Sequence, residues 1–211
     1  MNTSADQVLI VGGGGHSKVI IEVFRAMGCE PAGIVDPHTT HQDVMGVAVL
    51  GGDDQMARHF EMGYRRAHVA IGQNSLRRRL GTELKNLGFE LVNALHPSAI
   101  ISPSAELGEG ISVMPNAIIH TKARVSALSI VNTGAIVEHD CFIGVGTHLA
   151  PRSVIGGSVV IEDEVLFGIG AVARPRSHIG ARATIGAGAV VIGTIEPDLV
   201  AIGIPARSSK R

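Results

Sequence analysis

A six-residue period runs through the second half of the chain and admits very few folds. Stepping by six from Ile101 through Leu107, Val113 and Ile119 to Val191, every position is apolar, and only Ala173 is as small as alanine. The residue two places earlier is short almost throughout, as at Ala99, Ala117, Ser129, Cys141 and Thr147, with Ile111 the bulky one. A helix turning every 3.6 residues cannot hold a strict six-residue register, so the pattern reads as short strands separated by turns. Three rungs close one triangular coil, and coils stack at the ordinary strand spacing of about 4.8 Å. The expected fold for this half is a left-handed parallel β-helix of roughly five coils, from about Ile101 to Val191. The large aliphatic is expected to point into each corner. Gly108, Gly144, Gly156, Gly168, Gly180 and Gly186 follow it and would supply the permissive φ that a tight corner wants.

Composition agrees with such an interior. Apolar residues reach 45% but aromatics only 3%, with no Trp and 27 glycines, as a narrow aliphatic core would require. A net charge of −1 gives no field for nucleic acid or an anionic membrane. No stretch approaches the ~20 apolar residues of a membrane span, and the polar Met1–Asp6 does not read as a leader. Cys29 and Cys141 suggest reduced thiols. The chain is expected to be cytoplasmic, with neither nucleic acid nor membrane as partner.

The first 94 residues alternate differently. Gln7–Val11 reads as a strand entering Gly12-Gly13-Gly14-Gly15-His16, followed by the helical pattern Val19–Phe24. Further strands are expected at Ala32–Asp36 and Ala67–Ile71, with helices at Gln55–Met62 and Leu76–Leu87. This predicts a small Rossmann-like α/β domain over 1–94, ahead of a β-helix domain over 95–211, with His96-Pro97-Ser98-Ala99 at the junction. The glycine run suits a phosphate at a helix N-terminus, although Ser17 stands where G-x-G-x-x-G needs its third glycine. Asp36 sits where an acid could accept from a ribose hydroxyl, or could simply cap a turn. The run Arg77-Arg78-Arg79 reads as a solvated helix face, and His38, His41, His59 and His68 are assigned nothing.

Within the repeat, His120, His139, His148 and His178 all fall outside the interior columns and therefore face outward. His139 lies between Glu138 and Asp140. A carboxylate bonded to an imidazole fixes its tautomer and makes it a ready general base. Gly157 is eighteen residues on, one coil away in the same column, and would leave room beside the ring. Ile169 and Ala187 form another outward column. His148 is half a coil round from His139, so the two could meet only between subunits.

These features resemble the hexapeptide-repeat sugar O- and N-acetyltransferases with an N-terminal nucleotide-sugar domain. That group includes the bacillosamine-pathway and perosamine N-acetyltransferases and the sialic-acid O-acetyltransferases. The resemblance rests on Gly12–His16, Asp36, Ile71-Gly72-Gln73-Asn74, the His96–Ala99 junction, Asn132–Cys141, His148 and Gly203-Ile204-Pro205-Ala206-Arg207. It implies a homotrimer with inter-subunit sites that uses acetyl-CoA and a nucleotide-linked 4-amino-4,6-dideoxysugar. His139 would be the base and Asp140 its tuning acid, with His148, Gly157, Ile169 and Ala187 along the cofactor groove. Gly14, Gly15, His16 and Asp36 would hold the nucleotide sugar. Two departures stand out: Pro37 replaces a second acid, and Asp140 replaces a longer Glu. Three rival readings are O-acetylation of a sialic acid or similar sugar, a zinc hydratase on the same coil, and a non-catalytic scaffold. The hydratase needs three convergent His ligands, and no two histidines of the coil are five residues apart, so no metal is expected.

Overall fold

The computed structural model describes residues 6–209, so the polar stretch Met1–Asp6, which does not read as a leader, lies, apart from Asp6, outside the described residues. The chain divides into two compact units, Met1–Leu95 and His96–Arg211.

The first unit is a parallel sheet with helices. In chain order its elements are β1 (Val8–Val11), α1 (Gly15–Ala26), β2 (Gly33–Val35), β3 (Asp43–Val44), β4 (Val47–Ala48), α2 (Met56–Glu61), β5 (Arg66–Val69), α3 (Asn74–Leu87) and β6 (Glu90–Leu91). The sheet order is β2-β1-β5-β6 with every pairing parallel. All of β1 is buried, because helices cover a parallel sheet on both faces and leave no polar side for alternation. Helix α1 buries Ile20, Ile21, Val23 and Phe24 on one stripe. Helix α3 ends on Gly88 at φ 98°, the left-handed cap that glycine adopts without a Cβ penalty. The antiparallel hairpin β3–β4 was not foreseen, since two-residue strands carry no periodicity.

One expectation for this unit is not met. Arg77 is fully buried rather than solvated. Its guanidinium donates to the carbonyls of Ile71 (2.8 Å) and Gly72 (3.0 Å) and to Asn74 Oδ1 (2.9 Å). Arg79 does behave as a surface residue, paired with Glu83 at 2.7 Å. His68 is buried too, bonded through Nδ1 to the Val92 carbonyl at 2.9 Å, and burial pushes its pKa down to about 4.

The second unit is a parallel β-helix of three faces. The first face stacks Ile100–Ile101, Ile118–Ile119, Ile136–Val137, Val154–Ile155, Val172–Ala173 and Val190–Val191. The second runs from Glu106–Leu107 through Phe142–Ile143 to Thr194–Ile195, and the third from Ser112–Val113 through His148–Leu149 to Val200–Ile202. The first and second faces hold six strands each, so the coil continues past Val191 and exceeds the five turns expected. The apolar period ends before the fold does, because Ile195 and Ala201 follow changed spacings while still pairing in register. The antiparallel strand Arg207–Ser209 then covers the edge of the third face.

Two details of the coil differ from expectation. The large aliphatics sit on the strands, not in the corners, and Ile119, Val137, Ile155 and Phe167 are buried there. The turn lies three residues earlier in each rung, at a residue in left-handed conformation: Asn116, Lys122, Leu128, Gly134, Asp140, Gly146 and onward every six residues. Gly108, Gly144, Gly156, Gly168, Gly180 and Gly186 are therefore not the permissive-φ positions. A Cβ there would strike the next coil: at Gly144 it would sit 2.4 Å from the Glu162 carbonyl carbon, and at Gly168 2.5 Å from the Ile185 oxygen. Close approach of the next coil requires them, by its backbone at five of the six and by the Ile202 side chain at Gly186. The small interior positions accept polar atoms by a related device. Ser129 Oγ and Thr147 Oγ1 donate to the carbonyls of Gly144 (2.9 Å) and Glu162 (2.8 Å) on the neighbouring coil.

Gly168→Ala should therefore cost about 3 kcal/mol through overpacking, and Gly170→Ala, at φ 64° with open space around it, about 1 kcal/mol. Chemical denaturation of both variants checks the order, and the reverse order would return the first glycine to the role of a φ-permissive turn.

Candidate active site on the first edge of the coil

The edge between the first and second faces carries His139. Its backbone is pinned from both sides: Ser158 N–H donates to the His139 carbonyl at 2.9 Å, and Asp140 N–H donates to the Thr121 carbonyl at 3.1 Å. Asp140 is the corner residue, at φ 58°. Reversing the chain at that point swings its carboxylate alongside the preceding ring, and Oδ2 lies 2.8 Å from His139 Nδ1. An ionised carboxylate only accepts, so the neutral imidazole carries its proton on Nδ1 and presents a lone pair at Nε2. Both side chains are more than half exposed, so the contact orients the ring more than it stabilises the fold.

Gly157 forms the floor beneath that ring. A Cβ there would lie 2.5 Å from His139 Nε2 and 2.7 Å from Cε1. The glycine makes room for the imidazole, as its place one coil on suggested. An open cavity of about 560 Å³ begins at His139 and Gly157 and runs past Ser158, Arg174, Pro175 and Arg176 to Ile192 and Gly193. Cys141 takes no part: it is buried, its thiol donates to the Gly156 carbonyl at 3.1 Å, and burial pushes its pKa up to about 11. A protonated, enclosed thiol is no nucleophile at neutral pH.

The other candidate residues of the coil lie elsewhere within one chain. His148 is on the third face, opposite the edge that bears His139, with Nε2 3.0 Å from Asn132 Nδ2. Ile169 and Ala187 are exposed on the edge between the third and first faces, where Gly188 N–H donates to the Ile169 carbonyl at 2.8 Å. His120 faces Glu138 at 4.0 Å and His178 bonds Glu162 at 2.9 Å. Among the described residues no three His, Cys, Asp or Glu side chains converge in a way that could hold a metal ion.

In the first unit, Gly14 and Gly15 open α1 with nothing within 4 Å of a built Cβ, so their backbone faces open space. Gly12, at φ 109°, is different: a Cβ there would lie 2.6 Å from Ile71 Cδ1. Ser17, in the place of a third glycine, is buried and donates its hydroxyl to the Gly14 carbonyl at 2.6 Å, closing the first turn. His16 is half-buried beside it. Asp36 ties this turn down: Oδ2 accepts from Gly13 N–H, and Oδ1 accepts from His38 N–H (2.6 Å) and Thr39 N–H (3.1 Å). Arg77 was the residue that sequence reasoning missed. Its carbonyl clasp holds the Ile71–Asn74 segment in shape, and a lone Arg within a basic run gave no signal of burial.

The chain thus combines a small parallel α/β unit with a six-coil solenoid that carries a histidine–carboxylate pair on one edge. Residues 7–84 match the family described as the PglD N-terminal domain. A histidine-to-alanine variant of GDP-perosamine N-acetyltransferase from Caulobacter crescentus, solved with CoA and GDP-perosamine, is 44% identical over 97% of both chains, with a TM-score of 0.95. The acetyltransferase domain of PglB from Neisseria gonorrhoeae, solved with acetyl coenzyme A, is 32% identical over 96% of this chain and 98% of that one, with a TM-score of 0.92. UDP-N-acetylbacillosamine N-acetyltransferase of Bacillus subtilis is 36% identical over 126 residues, 51% of this chain and 50% of that protein. The chain spans half or less of the length of the first curated relatives it matches. It belongs to the hexapeptide-repeat sugar N-acetyltransferase family. No helix among the described residues is long and apolar enough to cross a membrane.

Proposed function

We propose that this chain transfers an acetyl group from acetyl-CoA to the amine of a UDP- or GDP-linked 4-amino-4,6-dideoxysugar in the cytoplasm, as a step toward a cell-surface polysaccharide. The observation that carries the reading is the His139–Asp140 pair at the mouth of a cavity, with the Nε2 lone pair fixed by the Nδ1 contact. Attack by the amine on the thioester carbonyl forms the new C–N bond, and Nε2 of His139 accepts the proton that the amine loses. Collapse of the tetrahedral oxyanion breaks the C–S bond, and the imidazolium returns the proton to the departing thiolate. An acyl-enzyme has no support, since Cys141 is enclosed and protonated.

The nucleotide sugar is assigned to the first unit, where the open amides of Gly14, Gly15 and His16 at the start of α1 suit a phosphate. Asp36 supports that turn through Gly13 and retains lone pairs that a ribose hydroxyl could use. GDP-perosamine is the first acceptor to assay, because the similar Caulobacter structure holds it.

The working assembly in this reading is a homotrimer with sites between subunits. The outward residues of the first face, Ile100, Ile118, Ile136, Val154, Val172 and Val190, form an unbroken aliphatic column beside the edge that carries His139. A neighbour docked there would bring its own His148, Ile169 and Ala187 to the cavity from faces that the same chain cannot present.

Thiol release with acetyl-CoA and a panel of UDP- and GDP-aminosugars tests the activity. His139→Ala should lower kcat by about 10²–10⁴-fold, and Asp140→Asn by about tenfold through loss of ring orientation. An alanine variant that keeps more than a tenth of the wild-type kcat would remove His139 from the mechanism. Gly14→Val should leave thermal stability unchanged, since its surroundings are open, while raising KM for the nucleotide sugar and not for acetyl-CoA. A folded variant with both constants unmoved would take the acceptor away from this turn. Co-expressing inactive His139→Ala with inactive His148→Ala should restore part of the activity, because some sites would then combine a good His139 with a neighbour's good His148. No rescue, or an active monomer in sedimentation, would end the inter-subunit reading.

A further inference from the structure

The edge that carries His139 is unlike the other two. Its left-handed corner residues are Lys122, Asp140, Ser158 and Arg176, with no glycine among them. The other two edges place Gly110, Gly134, Gly146, Gly170 and Gly188 at the equivalent corners. A non-glycine residue in this conformation costs about 1–2 kcal/mol, so the first edge keeps side chains where glycine would be conformationally easier. Two coils beyond His139, Arg174 and Arg176 flank Pro175 and both line the cavity. Neither guanidinium has a hydrogen-bond or ion-pair partner among the described residues, although the corresponding Arg182, on another edge, is paired with Asp198 at 2.7 Å. From His139 through Gly157 and Pro175 to Gly193 the cavity climbs three coils, or roughly 14 Å at the strand spacing.

We infer that Arg174 and Arg176 form a diphosphate subsite in the catalytic cavity. Guanidinium forks match phosphate oxygens in pairs, and two of them astride one corner suit the two adjacent phosphates of a diphosphate better than a single anion. Both substrates of the proposed reaction carry a diphosphate, so the acetyl-transfer reading supplies the two candidate ligands. The subsite itself rests on the cavity and its two unpaired guanidinia. A diphosphate held there leaves the rest of the ligand a path down to Nε2 of His139, floored by Pro175 and Gly157.

Calorimetry of the full chain with inorganic pyrophosphate tests the subsite apart from any acetylation. Arg174→Gln with Arg176→Gln should weaken pyrophosphate binding by at least about tenfold, and Lys at both positions should restore part of it. Both residues are exposed, so unfolding temperatures should match the wild type and exclude misfolding. In steady-state assays the Gln pair should raise one KM. A rise for acetyl-CoA assigns the subsite to the CoA diphosphate, whereas a rise for the nucleotide sugar assigns it to the acceptor and takes the acceptor's diphosphate away from the Gly14–Gly15 turn. Pyrophosphate binding unchanged by the double substitution, or both KM values unmoved, overturns the inference. Arg-dependent pyrophosphate binding in a protein that transfers no acetyl group would leave the subsite standing and sink the acetyl-transfer reading instead.

Discussion

The backbone ladder between successive coils is the constraint on which everything else in the second unit depends. Ile118 N–H donates to Ala135, Ile136 to Ser153, Val154 to Ala171 and Val172 to Ala189, each at 2.8–2.9 Å. Because each coil sits on the last at strand spacing, residues of one column lie directly above one another. A side chain that fits once must then fit in every coil. Hence the aliphatic column inside, the short residues beside it, and glycine wherever one backbone crosses another too closely for a Cβ.

The same constraint explains why the chemistry sits on an edge. Strand residues have both backbone groups committed to the ladder and one face committed to the core. The corner residue Asp140 is tied to the neighbouring coil through the stacking hydrogen bond to Thr121, and its side chain, more than half exposed, is spared from packing. The left-handed turn then sets neighbouring side chains close together. His139 and Asp140 meet through adjacent positions because the chain reverses between them, and the ring finds its space only because the residue one coil away is Gly157.

The first unit uses a different economy. Its glycine turn is held by one carboxylate, Asp36, that accepts from amides on two loops, and the segment after β5 is held by one buried guanidinium, Arg77. Both act as struts for backbone that has no ladder of its own. A buried charge is tolerable here because three or more hydrogen bonds replace its water. Gly14 and Gly15 remain clear of such struts and keep their surroundings open to a ligand.

The six-residue repeat was legible in the sequence because a stacked coil writes its packing rule into every rung. So was the pairing of His139 with Asp140 and Gly157, since adjacency and an eighteen-residue step are both arithmetic. The alternation of strands and helices in the first 94 residues was also readable. Other features had no local signature. The corner position within the rung was displaced by three residues, because glycines kept for close approach and glycines kept for φ look identical as letters. Arg77 was read as solvated, because burial of a guanidinium depends on the carbonyls that happen to converge on it. Arg174 and Arg176 gained meaning only as walls of a cavity three coils long. A sequence specifies what repeats along the chain and what is adjacent in it, whereas which residues share an enclosed space is decided by the closed three-dimensional path of the backbone.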